Sequence, residues 1–433
     1  VSAHMALNLN LRGVGFHRAG WRHPSATPER VTELDYFADI VSTVERGKFD
    51  AVFFADSPRL FSDREPLAMS LEPLTLLGAL AARTTNIGLI GTVSTTYNDP
   101  YEIAARFASL DQLSGGRAGM NFVTSSGDVL AHNFGYDSHP DFDRRYERAS
   151  EFVDVVLKLW SGRPVDHSGQ FFDVHGTLPI PASPQGHPVL VQAGASNRGR
   201  DMAALRAEAV YTGSSTIANG IEFYEDVKNR AVGFGRTRAD VKILPGLVPY
   251  IADTEAEARA LEEELEALAT KNIDVIAQLS TELGTDLSVY DPDSPFPDEA
   301  FPSFATHKGG QSRINRLRTW VEQENLTVAQ LATKVEKGLG VVHWTTAGTG
   351  EQVADELEAW FRAGAADGFN VLVPLHPRGT EDFVEQVVPI LQRRGLFREE
   401  YDGTTLRDNF GLELPHIPFD AIDSKLSRAS SLL

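Results

Sequence analysis

The chain of 433 residues contains no cysteine. That excludes disulfides, thiolate metal sites and a cysteine nucleophile, and it fits a reducing compartment. Basic residues are few beside acidic ones, 40 against 60, for a formal net charge of −20. With no basic run either, nucleic acid is a poor partner. No apolar run approaches the ~20 residues that span a bilayer. No export signal is visible: Met5 reads as the natural start, with Val1–His4 set aside. The expectation is a cytoplasmic protein without membrane contact. Absent motifs exclude further classes. Gly13 and Gly15 lack the third glycine of a dinucleotide fingerprint, because position 18 is Arg18. There is no G-x-x-x-x-G-K-[ST], no H-E-x-x-H, no histidine cluster at metal spacing and no G-x-S-x-G elbow, so no metal is expected.

What is present is alternation. Apolar runs rich in β-branched residues occur at Leu7–Val14, Ala51–Ala55, Ile87–Val93, Ala118–Thr124, Val189–Ala193, Ala209–Thr212, Ile243–Ile251 and Asn370–Leu375. Between them lie helical patterns: Thr32–Arg46, Leu71–Arg83 after a capping Ser70, Tyr101–Leu113, Arg145–Trp160, Arg198–Ala207, Gly220–Val232, one opened by a Thr254/Glu257 capping box, and Glu351–Ala365. Runs apolar on both faces belong to parallel strands covered by helices. Eight such units predict an α/β fold, a (β/α)8 TIM barrel with insertions, rather than an open sheet. The expected organisation is a single barrel domain over residues 5–433, with insertions at about 164–186 and 271–344. The first reads as a hairpin. The second holds a helical pattern at Ile314–Lys337 and reads as a lid, a pocket wall or an oligomer contact. After a helix at Glu381–Arg394 the tail shows no strong pattern.

Barrel chemistry sits where strands hand over to helices at their C-terminal ends. Those junctions hold His17, Asp56, the polar run Thr92–Asn98, then Asn121 with Thr124-Ser125-Ser126, then Gly194-Ala195-Ser196-Asn197. His343 and Trp344 end the long insertion. Neutral donors dominate and strong acid–base pairs are missing, as suits a cofactor that carries the chemistry itself. Small residues running directly into a helix N-terminus at Ala195-Ser196 make a phosphate seat.

Long matched stretches point to one family. They include "ERGKFDAVFFADS" from Glu45, "STTYNDPYEIAARFASLDQLSGGRAGMNFVTS" from Ser94, "RRYERASEFVDVVLKLW" from Arg144 and "PVLVQAGASNRGRDMAA" from Pro188. In these the chain resembles the bacterial-luciferase-like flavin-dependent monooxygenases, in the branch of the nitrilotriacetate, EDTA and dibenzothiophene-sulfone monooxygenases. The resemblance implies a luciferase-like barrel that is the oxygenase component of a two-component system. It would take reduced FMN from a separate NAD(P)H:flavin reductase and use O2 on a small C–N, C–S or C–H substrate, as a homodimer or homotetramer. It implies Asp56, Thr92, Asn121, Tyr146, Ala195 and Ser196 at FMN, with Tyr146 and Ser196 at its phosphate end. It places His17 near the substrate and Asn121 at the ring; beside it, His17 and His343 are read as the candidate proton carriers. An F420-dependent oxidoreductase and a flavin-binding barrel without turnover are the alternatives. Three departures stand out. Phe142 replaces a phosphate-site histidine, Met120 a tryptophan, which would widen or soften the pocket, and Gly350 a proline that would matter only for loop stiffness.

Overall fold

A computed structural model describes residues 4–56, 71–125, 127–270, 274–302, 311–337 and 343–415. Its strands are β1 (Ala6–Asn10), β2 (Ala51–Phe54), β3 (Gly88–Ser94), β4 (Ala118–Val123), β5 (Val165–Ser168), β6 (Asp173–Gly176), β7 (Val189–Ala193), β8 (Ala209–Thr212), β9 (Lys242–Ile251), β10 (Trp344–Gly348) and β11 (Gly368–Val371). The parallel pairings run β1-β2-β3-β4-β7-β8-β9-β11 and return to β1, which closes a (β/α)8 barrel. These are the eight runs read from sequence. All seven residues of β3 are buried, the signature of a strand covered on both faces. β5 and β6 form a separate antiparallel hairpin.

β10 is a ninth parallel strand that the sequence reading did not contain. It pairs with Leu247–Ile251, the far half of β9, while β11 takes Gly246 and Leu247. β9 therefore forks between two neighbours, and His343 arrives at the mouth on the residue before β10.

Helix starts differ from expectation where a better cap was available. The second helix is Pro73–Ala81, capped by the Glu72 carboxylate, which accepts from the amides of Leu74 and Thr75 at 3.1 and 2.7 Å. Ser70 lies outside the described residues. The pattern at Ile314–Lys337 divides into Gln311–Glu324 and Val328–Lys337 around Asn325, whose φ of 51° cannot continue a helix.

The tail is not featureless. A short helix, Leu406–Asn409, puts Leu406 and Phe410 against Ala6, Ala51, Ile90, Val189 and Leu244, sealing the N-terminal end of the barrel. Arg407, 2% exposed, pairs with Glu208 at 2.6 Å, and Arg398 pairs with the fully buried Asp50 at 2.6 Å.

Two departures acquire a different meaning. On β4, residues alternate between the interior and the helix layer. Asn121 bonds Thr92 inside, whereas Met120 joins the core packed under the helices. Met120 therefore does not line the pocket, and the expected widening is corrected. Gly350 opens the helix Gly350–Arg362 so close to its neighbour that a Cβ there would lie 2.6 Å from the Gln386 carbonyl oxygen. The glycine is a packing requirement and not only a matter of loop stiffness.

Candidate active site at the barrel mouth

Polar side chains line the barrel interior and its mouth. On β1 and β11, Asn8 Nδ2 donates to Asn370 Oδ1 at 3.2 Å, and Asn370 Nδ2 donates to the Leu244 carbonyl at 3.0 Å. Nearer the mouth, Thr92 and Asn121 are register partners on β3 and β4. Asn121 Nδ2 donates to Thr92 Oγ1 at 2.9 Å, and Thr92 Oγ1 donates to the Phe54 carbonyl at 2.7 Å. Both bonds are made within the protein, yet Asn121 Oδ1 is buried without a partner among the described residues. A buried acceptor left open costs about 1–3 kcal/mol, so a site is expected to supply a donor.

The Thr124–Ser125 rim turns sharply. Ser125 adopts a φ of 57°, donates its hydroxyl to Ser94 Oγ at 2.7 Å and offers its carbonyl to Arg145 Nη1 at 2.5 Å. Arg145 is 5% exposed, and burial lowers its pKa. Ser126 lies outside the described residues. His139 is buried and bonded to the Tyr97 hydroxyl at 2.5 Å.

At the end of β7, the strand next to β4, Ser196 caps the helix Asn197–Arg206, accepting from the Gly199 amide at 3.1 Å, and lies 3.2 Å from the Tyr146 hydroxyl. A Cβ on Gly199 would come to 3.2 Å from Gly194, Ser196 and Tyr146 together, so this cradle is built tight. The Ala195 carbonyl accepts from Arg200 Nε at 3.2 Å. Phe142 packs its ring 4.8 Å from Tyr146, in the place expected of a histidine. Arg198 is held by Asp143 at 2.9 Å and is not a spare cation for a phosphate.

The two candidate proton carriers have different surroundings. His17 is 4% exposed, and its Nδ1 accepts from the Ala19 amide at 3.2 Å. The proton is thereby assigned to Nε2, which is buried without a partner. Burial, then Arg18, lower its pKa to about 4. His343 stacks on Tyr211 at 5.3 Å, with its Nε2 2.9 Å from the Tyr211 hydroxyl. Burial, followed by Arg12 and Arg316, lowers its pKa to about 3. Both rings are neutral at ordinary pH. Asp56 follows β2 at the same end of the barrel, half-buried. Sequence reasoning missed Tyr211, which sits inside an apolar run, and the asparagines Asn8, Asn10 and Asn370. Among the described residues no group of three or more His, Asp or Glu side chains could hold a metal ion, and no helix is long and apolar enough to cross a membrane.

Three comparisons bear on this arrangement. Residues 15–367 match the luciferase-like monooxygenase family. The chain is 45% identical to nitrilotriacetate monooxygenase component A of Aminobacter aminovorans, over 93% of this chain and 95% of that protein. Among solved structures it is similar to the EDTA monooxygenase of Chelativorans sp. BNC1, with a TM-score of 0.77, 33% identity and coverage of 95% and 99% of the two chains. It is also similar to a riboflavin lyase solved with modified FMN and riboflavin, with a TM-score of 0.84, 30% identity and coverage of 97% and 99%. The chain belongs to the luciferase-like monooxygenase family, and it is an enzyme of the flavin-dependent monooxygenase type.

Proposed function

We propose that this chain is the oxygenase component of a two-component system. It takes reduced FMN from a separate NAD(P)H:flavin reductase and uses O2 to oxygenate a small organic substrate at a C–N, C–S or C–H centre. The observation that carries this reading is the buried acceptor Asn121 Oδ1, open among the described residues and anchored through Thr92, with a glycine cradle at the end of the neighbouring strand β7. The donor set suits a flavin. Asn121 offers an acceptor to a ring N–H. Ser196, Tyr146, the backbone around Ala195 and the start of the Asn197–Arg206 helix suit a phosphate, with Arg145 as the buried cation nearby. Asp56 stands at the mouth on the ring side.

Bound reduced FMN supplies the electrons that activate O2. The protein binds and orients the ring, excludes water and manages protons. His17 holds a proton on Nε2 and is the first candidate to place it at a reacting oxygen; His343, coupled to Tyr211, is the second. Neither ring charges near neutral pH, so each acts as a neutral donor or acceptor. We further propose that the enzyme works in the cytoplasm as a homodimer or homotetramer, with residues 5–433 forming one barrel domain.

The test combines the protein with a flavin reductase, NADH, FMN and a panel of amines, thioethers and alkanes. Substrate-dependent product carrying one atom of 18O from 18O2 is expected. Absence of labelled product across the panel, with flavin reduction intact, would overturn the reading.

A further inference from the structure

A cation beside the mouth has no countercharge among the described residues. In a chain with 60 acids and 40 bases, arginines find carboxylates readily. Arg394 holds Glu351, Asp355 and Glu358, and Arg230 holds Asp201 and Asp226. Arg316, on the insertion helix Gln311–Glu324, has no carboxylate within ion-pair reach among the described residues. Its one hydrogen bond among the described residues goes to the Ser215 hydroxyl, just beyond β8, which leaves most of its N–H donors uncommitted among them. It is half-buried, and burial lowers its pKa with no acid opposing.

Its position is defined by its neighbours. Tyr211, at the end of β8 four residues before Ser215, stacks on His343. The His343 ring lies over Gly246, where a Cβ would come within 2.4 Å of Nδ1, and meets the edge of Phe16 at 5.5 Å. Arg12 lies 5.6 Å from the Phe16 ring. Arg12 reaches this neutral aromatic wall at Phe16, and Arg316 meets the segment after β8 at Ser215; both cations disfavour protonation of His343. The insertion brings a buried carboxylate to the same side, Glu336, but Arg18 answers it at 3.0 Å. A buried ring nitrogen completes the wall: His343 Nδ1 has no partner among the described residues.

We propose that Arg316, with Arg12 at Phe16, is the anion-recognising edge of the substrate pocket, and that the substrate is a small carboxylate whose charged end docks there. This rests on the monooxygenase reading for the identity of the pocket. An uncompensated, partly desolvated guanidinium favours a planar carboxylate through paired N–H bonds, and it rejects the neutral ester of the same shape by staying unsatisfied.

The test uses the full chain loaded with oxidised FMN. Thiodiglycolate and nitrilotriacetate, each beside its methyl ester, are titrated by calorimetry and then offered for turnover with a flavin reductase and O2. The acids are expected to bind at least about tenfold more tightly than the esters. Arg316→Gln should abolish that preference, Arg316→Lys should keep part of it, and neither should change FMN affinity, which controls for folding. Esters binding as well as acids, no acid binding to the unaltered protein, or a preference surviving Arg316→Gln would each overturn the proposal. Arg316-dependent binding of an acid without oxygenation of any panel member would instead strike the monooxygenase reading and leave the anion edge standing.

Discussion

Asn121 donates its amide to Thr92 across β3 and β4 at 2.9 Å, and so turns its carbonyl oxygen away from every donor among the described residues. Thr92 is oriented in turn by the Phe54 carbonyl at 2.7 Å. The relay fixes which end of the Asn121 amide is available.

Thr92→Val removes the acceptor and frees Asn121 to rotate. FMN affinity, followed by quenching of flavin fluorescence, should drop about tenfold, in line with loss of about 1–2 kcal/mol of oriented hydrogen bonding. Thr92→Ser should restore most of it. Unchanged binding in Thr92→Val would show that the relay does not position Asn121.

Phe142 packs against Tyr146 where a phosphate-facing donor was expected. Phe142→His should tighten FMN by roughly three- to tenfold through a charge-assisted bond, and leave riboflavin, which lacks the phosphate, unaffected. An equal gain for both flavins would place the effect in ring packing instead.

His17 and His343 have pKa values lowered to about 4 and about 3 by burial. The unfolded chain binds protons on these rings below about 6.5, whereas the folded chain does not until far lower. Their contribution to stability is therefore complete above pH 6.5 and is lost as pH falls toward 4. The thermal midpoint should decline between pH 6.5 and 4.5, and His17→Gln should flatten that decline. A midpoint insensitive to pH in this range would contradict neutral burial.

Arg407 and Glu208 meet at 2.6 Å beneath the barrel. Arg407→Met leaves Glu208 charged and buried without this partner, which should cost about 3–5 kcal/mol in urea unfolding. Adding Glu208→Gln should recover a large part. Equal destabilisation in the single and double variants would assign the cost to lost side-chain packing.

The eight barrel strands were legible because strands covered on both faces must be apolar on both, and β3 is buried end to end. β10 was not: Thr345 and Thr346 give it no apolar run, and only the fork in β9 makes room for it. Thr92 and Asn121 were visible as polar residues interrupting buried strands. Asn8 and Asn10 interrupt β1 just as plainly, but an alternating Asn-Leu pattern reads as one dry and one wet face, and here the wet face is the barrel interior. Arg316 gave no local signal, since an arginine on an amphipathic helix is ordinary until the absence of its counterion is seen in three dimensions. The four-residue helix at Leu406 is too short for any periodicity to register.

That last helix also dictates traffic. With Leu406 and Phe410 corking the floor, the described residues leave the C-terminal mouth as the way into the barrel. On the proposed function, flavin and substrate would share that threshold, and whichever lies deeper would have to enter first and leave last. The Asn121 relay is set into the barrel wall, while Arg316 belongs to a helix of the insertion and bonds Ser215 after β8. On the proposed function, that layout would make the flavin the earlier arrival and the substrate the later one.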